Sequence, residues 1–100
     1  MRLSQQQITC LVDAAHHAFG NNAEIWLFGS RVDDNKKGGD IDLYIETDLS
    51  KGTVVAKLKM REIIWFAFGD QKIDILVRSR SREPSPLHII AKSTGQRLGA

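Results

Sequence analysis

A seven-residue segment, DIDLYIE at residues 40–46, most constrains what this chain can fold into. Polar and aliphatic side chains alternate strictly along it, and successive side chains of a strand point to opposite faces of a sheet. The pattern predicts a half-buried strand whose aliphatic face packs on a core. The opposite face, which we expect to be open, carries Asp40, Asp42, Tyr44 and Glu46.

The remaining elements follow from hydrophobic periodicity and from turn-forming residues. We predict helices over residues 4–19, 50–68 and 86–95 and strands over residues 23–28 and 72–77. The order α-β-β-α-β-α indicates an α+β (two-layer α/β) fold. The helix between the second and third strands allows them to be parallel or antiparallel neighbours.

Serines and glycines set the helix ends in this scheme. Ser4 is a candidate N-cap, with Gln7 as its capping-box partner, and Ser50 and Ser85 are candidates for the other two helices. Gly95 ends the last helix, and we expect the residues after it to fray.

Composition favours one small domain. The chain has 100 residues, of which 42% are hydrophobic, and its net charge is +2. We expect a single domain over residues 1–100, with a motif core at 24–77 and a short C-terminal helix at 85–95. The weak charge does not favour nucleic-acid binding. Cys10 is the single cysteine, and no apolar run is long enough for a membrane span or a signal peptide, so we expect a cytoplasmic protein.

Three aspartates suggest a metal site. Asp40 and Asp42 project from one face of a strand, about 7 Å apart at Cα, and their repulsion favours a bound divalent cation such as Mg²⁺. Asp74 interrupts the apolar strand KIDILV, where stability alone would not place a carboxylate. If the two strands are neighbours, three carboxylates can hold the two metal ions used in phosphoryl transfer.

The residues that end the first predicted strand suit a phosphate group. Gly29 lets the backbone approach a ligand closely, and the amides that follow can donate to phosphate oxygens. Ser30 adds a hydroxyl donor, and Arg31 can offset phosphate charge. Phosphate donors beside metal-binding carboxylates indicate a nucleoside triphosphate site.

The pattern FGSR, then DIDL, then a later strand aspartate resembles the minimal nucleotidyltransferase domains of the DNA polymerase β superfamily. The resemblance implies a nucleotidyltransferase fold, with a small mixed β-sheet and helices packed on one face. It implies that Gly29, Ser30 and Arg31 bind the nucleotide, and that two Mg²⁺ ions are held by the three aspartates of the motif, Asp40, Asp42 and Asp74. ATP, or another nucleoside triphosphate, is then the substrate, and Asp74 helps to activate the attacking hydroxyl.

The resemblance also implies a partner. Minimal domains of this kind are typically encoded beside a small helical HEPN protein, and some act as its antitoxin by attaching AMP to a tyrosine of the toxin. We expect that role here, with residues 65–68 and 78–82 as candidate partner surfaces. The sequence leaves two alternatives open, an antitoxin that acts by binding alone and a small-molecule nucleotidyltransferase of the antibiotic-modifying type. It also leaves open a homo-oligomer.

Overall fold

The computed structural model describes residues 3–29, 41–69 and 72–99, which form three helices and a four-stranded mixed sheet. The helices are α1 (Gln5–Phe19), α2 (Thr53–Phe68) and α3 (Pro86–Thr94). The strands are β1 (Glu24–Phe28), β2 (Ile41–Thr47), β3 (Ile73–Ser79) and β4 (Gln96–Leu98). The predicted α+β fold and its order α-β-β-α-β-α are confirmed. A fourth strand follows α3, so the expectation that the last residues fray is wrong for Gln96–Leu98.

The strands lie in the order β3-β2-β1-β4. β1 is antiparallel to both β2 and β4, whereas β2 and β3 are parallel. A parallel pair needs a long crossover connection, and α2 provides it. The sequence left open whether β2 and β3 are parallel or antiparallel. They are parallel, and both therefore begin at the same end of the sheet.

One face of the sheet packs against α1 and α2. The aliphatic side chains of β2 are fully buried there, together with Leu11 and Phe19 of α1 and Met60 and Ile64 of α2. Among the described residues, none of the helices combines the length and apolarity needed to cross a bilayer.

The third helix lies on the opposite face. Ala91 of α3 is fully buried against Trp26 of β1 and Tyr44 of β2, with Phe28 and Leu76 packed around them. The expectation of helices on one face therefore holds for α1 and α2 and is wrong for α3. The expected open acidic face is also covered at Tyr44 and Glu46, because the two large rings would otherwise expose apolar area to water.

Helix ends follow the sequence in two cases of three. Ser4 forms the predicted capping box with Gln7. Ser85, a predicted N-cap, also forms a capping box with the residue three positions later. Ser50 is not a cap. α2 begins at Thr53 after Gly52, whose φ of 73° is a left-handed conformation that suits glycine.

Hydrogen bonds fix the C-terminal ends of β2 and β3. Thr47 Oγ1 donates to the carbonyl of Phe19 at 2.8 Å, and Ser79 Oγ donates to the carbonyl of Leu49 at 2.6 Å. The Arg80 amide donates to the carbonyl of Thr47 at 2.8 Å. These bonds fix the last residues of the parallel pair to α1 and to the segment that follows β2.

Candidate active site

Asp42 and Asp74 are direct partners in the parallel register of β2 and β3. Each is the second residue of its strand, and each lies on the face that carries Tyr44 and Leu76, because alternate residues share a face. Neighbouring strands are about 4.8 Å apart, so the two carboxylates are close. Asp42 is partly buried and Asp74 is exposed. The structure thus brings these two predicted residues together at the edge of the sheet where both strands begin.

Gly29 lies directly against the Asp42 carboxylate of this pair. It follows β1, and its φ is 76°. A Cβ atom added to Gly29 would lie 3.1 Å from Cγ of Asp42 and would collide with one carboxylate oxygen. Only glycine therefore allows the chain to pass this close to the Asp42 carboxylate. Asp42 pairs with Asp74 on β3 and with Phe28 on β1, and Gly29 comes directly after Phe28. Gly29, Asp42 and Asp74 therefore form a row at this end of the sheet.

The other predicted site residues, Ser30, Arg31 and Asp40, lie outside the described residues. Within residues 3–29, 41–69 and 72–99, no group of three metal-ligating side chains comes together. Asp42 and Asp74 account for two of the three predicted carboxylates. Their hard oxygen atoms, held side by side on adjacent strands, are ligands of the kind that Mg²⁺ prefers, so the residues present fit this metal.

A cavity of about 240 Å³ opens beside Asp74. Its polar lining includes Lys57 and Arg61, which lie one turn apart on α2. Neither residue is among the site residues predicted from the sequence. Their one sequence signal is a spacing of four on α2, which is equally typical of a solvated helix face.

Glu46 anchors a charged cluster farther along the same face. Its side chain is only 4% exposed, and Arg78 and Lys92 each approach it to 3.2 Å. Tyr44 donates a 2.7 Å hydrogen bond to the same carboxylate. Burial would raise the pKa of Glu46, but hydrogen bonds from Tyr44, Lys92 and Arg78 and the Lys92 charge hold that pKa below its ordinary value.

The pKa of the Tyr44 phenol is shifted in the opposite direction. Burial, together with its hydrogen bond to Glu46 and the charge of that carboxylate, raises the pKa of Tyr44 to about 12, against the opposing effect of Arg78. The Glu46 cluster is thus a structural support for the sheet and α3, and it lies apart from the row formed by Gly29, Asp42 and Asp74.

The two candidate partner surfaces, residues 65–68 and 78–82, differ in how much of each is already engaged within the chain. In the basic connector 78–82, Arg78 and Arg80 form ion pairs with Glu46, Glu24 and Asp48, so their charges are balanced within the chain. On α2, by contrast, Trp65 and Phe66 are 55% and 79% exposed. These rings are not core, and they leave an apolar surface open on the helix.

Comparison with known proteins is consistent with this geometry. Residues 11–94 match the family profile described as "Nucleotidyltransferase domain". No curated protein matches the chain. The matched range runs from the middle of α1 to the end of α3 and includes the whole row of Gly29, Asp42 and Asp74, in keeping with the resemblance to the polymerase β superfamily. The chain therefore belongs to the nucleotidyltransferase domain family, whose activity is the transfer of a nucleotidyl group.

Proposed function

We propose that the chain transfers AMP, or another nucleoside monophosphate, from a nucleoside triphosphate to a hydroxyl group of a partner protein. The observation that carries the proposal is the pairing of Asp42 with Asp74 in register, beside a glycine that only just clears the Asp42 carboxylate. A surface strand pair gains no stability from two like charges in direct register, so the pair favours a functional role.

Asp42 and Asp74, together with Asp40, would hold Mg²⁺. When bound, the metal supplies positive charge that offsets the triphosphate and the charge that develops on the transferring phosphoryl group. The strands position the two carboxylates before any ligand arrives, so little reorganisation is needed at binding.

The phosphates would lie against the end of β1. The phosphate chain would approach the backbone at Gly29 closely, while Ser30 and Arg31 would donate to its oxygens and offset its charge. Because Gly29 touches Asp42, phosphate groups bound here lie next to the carboxylates.

In the transfer step, the acceptor oxygen attacks the α-phosphorus and forms a new P–O bond. The bond from the α-phosphorus to the bridging β-oxygen breaks, and pyrophosphate leaves with the electron pair. Asp74 accepts the proton of the acceptor hydroxyl. Its exposed carboxylate can reach an incoming group, which suits a general base.

The acceptor we propose is a tyrosine of a small helical HEPN-type toxin, for which this chain is the antitoxin. The open position of Asp74 and the exposed rings of Trp65 and Phe66 support an acceptor that is carried by another protein. The same exposed rings favour a second candidate function, in which the domain neutralises its partner by contact alone.

The test is transfer of label from α-labelled ATP to a purified HEPN-type partner in the presence of Mg²⁺. Asp42→Asn and Asp74→Asn should abolish labelling while the domain stays folded, and the exposed Glu83→Gln is the matched control that should keep it. Labelling that persists in both aspartate variants contradicts the proposed site. Loss of labelling with full neutralisation of the partner supports the contact-only function.

A further inference from the structure

The cavity beside Asp74 has two kinds of wall. It holds about 240 Å³, and it lies where β3, the edge strand of the sheet, meets α2 and the first turn of α3. The apolar part of its lining is formed by Phe28, Ile75, Leu76 and Leu87. The remaining lining is charged, with Lys57 and Arg61 from α2 and Asp74 itself. The cavity therefore offers an apolar body, a carboxylate at one point and two cations at another.

The two cations of this cavity have no partner among residues 3–29, 41–69 and 72–99. Neither Lys57 nor Arg61 forms a hydrogen bond or an ion pair there. Elsewhere in the described chain, Arg78, Arg80 and Arg97 each bind a carboxylate. The charges of Lys57 and Arg61 are thus available to a ligand that enters the cavity.

The cavity lies mainly on the Asp74 side of the row formed by Gly29, Asp42 and Asp74, because β3, α2 and α3 supply all of its lining except Phe28 of β1. Gly29 follows β1, Asp42 lies on β2 and Asp74 on β3, and of these three residues only Asp74 lines the cavity. In phosphoryl transfer, the attacking and leaving oxygens are roughly in line on opposite sides of the phosphorus. If pyrophosphate leaves on the Gly29 side, the acceptor must approach from the Asp74 side, so this step rests on the proposed function.

We infer that the cavity is the acceptor subsite, and that it takes a tyrosine side chain from a protein segment with acidic residues next to that tyrosine. The apolar wall accommodates the ring, and Asp74 lies where the phenolic hydroxyl must lose its proton. Lys57 and Arg61 bind the flanking carboxylates. Lys57 and Arg61, which have no partner within the described part of the chain, favour a negatively charged neighbour of the ring, which a neutral nucleobase does not offer.

The direct test is peptide binding, which requires no transfer. The probe is a short synthetic peptide with a central tyrosine flanked by glutamates, titrated into the isotope-labelled full chain and followed by amide NMR. We expect shifts at Ile75, Leu76 and Leu87. A peptide with lysines in place of the glutamates should bind at least about tenfold more weakly, because two attractive ion pairs become repulsive.

Matched variants test whether Lys57 and Arg61 bind the glutamates of the peptide. The double variant Lys57→Ala/Arg61→Ala should weaken glutamate-peptide binding about five- to tenfold, as expected for the loss of two partly solvated ion pairs. Lys59→Ala, an exposed lysine of the same helix outside the cavity, should change it less than twofold. Alanine favours helix, and amide spectra will verify that each variant is folded.

Two results would overturn the inference. One is that the glutamate peptide shifts no signals at the cavity, or binds the double variant as well as the native chain. The other is that ATP shifts these signals and the double variant loses ATP affinity instead, which would assign the cavity to the nucleotide. Peptide binding that persists in a chain without any transfer activity contradicts the proposed function alone.

Discussion

Replacing Gly29 by alanine separates backbone strain from damage to the site. At a φ of 76°, an L-residue costs about 1–2 kcal/mol relative to glycine. For a domain of this size, each kcal/mol lowers Tm by about 4–8 °C. The new Cβ also collides with the Asp42 carboxylate, whose Cγ would be 3.1 Å away, so that side chain must move. We expect Gly29→Ala to lose nucleotide binding by much more than its loss of stability explains.

Gly52→Ala is the matched control. Its φ is 73°, close to that of Gly29, but an added Cβ meets nothing within 4 Å. Both variants should therefore lose similar stability through the backbone, and Gly29→Ala should lose up to about 1–3 kcal/mol more if the Asp42 side chain cannot relax freely. Thermal melts give the stabilities, and calorimetry with Mg²⁺ and ATP gives the affinities. Gly52→Ala should bind as the native chain does.

One outcome would refute the reasoning about this contact. If Gly29→Ala binds Mg²⁺-ATP with native affinity and melts together with Gly52→Ala, then the close approach of Gly29 does not set the position of the Asp42 carboxylate. A loss of affinity in both variants would instead assign the effect to general destabilisation.

Three further predictions concern charged and phenolic groups. Asp74→Asn should raise stability in EDTA at low salt by about 0.2–1 kcal/mol, because it removes the repulsion with Asp42, and it should abolish any stabilisation by Mg²⁺; a lower Tm in EDTA contradicts this. Glu46→Gln should cost about 1–3 kcal/mol in urea melts at pH 7, less than for a fully buried pair because its cationic partners remain partly in water. Since the pKa of Glu46 is lowered by folding, its stabilisation is complete above its ordinary pKa and is lost as pH falls through the lower folded value, so the difference between variant and native chain should shrink below about pH 4. Tyr44 is the single tyrosine, so absorbance at alkaline pH should follow its ionisation alone, with a midpoint near 12 in the folded chain. The stabilisation that Tyr44 provides is present below about pH 10 and is lost as pH rises through 12. A midpoint near 10 in the folded chain would contradict the buried hydrogen bond.

Local patterns were sufficient to predict β2 and β3, and they predicted the meeting of Asp42 with Asp74 only on the condition that the two strands are neighbours. Strict alternation identifies the core face of a strand, and a helix between two strands allows a parallel pair that begins at one edge. What the pattern could not decide was whether β2 and β3 pair in parallel, because an antiparallel pair satisfies the same alternation. The choice comes from the packing of α2 and the whole sheet.

Long-range contacts explain the errors. β4 forms because Gln96–Leu98 pairs with β1, some seventy residues earlier in the chain, and three residues carry no periodic signal of their own. The place of α3 depends on Ala91, a small residue that fits against Trp26 and Tyr44. The larger apolar residues of α3 are mostly exposed, so its apparent apolar stripe does not show which face of the sheet it covers.

Lys57 and Arg61 illustrate the same limit for the site. On the sequence they are two basic residues of an amphipathic helix, which usually indicates only a solvated face. They become candidates because the fold brings one turn of α2 beside the edge strand that carries Asp74. A ligand-binding role for such residues depends on tertiary neighbours that no local pattern contains.

The hydrogen bonds at the far ends of β2 and β3 have a consequence for mutational scanning. Because side chains alternate, a slip of β3 by one residue would turn Asp74 to the other face of the sheet. Thr47 and Ser79 hold the strands in alignment five residues away from the carboxylates, a distance of about 16 Å. A scan of activity should therefore score Ser79 as more sensitive than its distance from the carboxylates suggests, even where the abundance of the protein is unchanged.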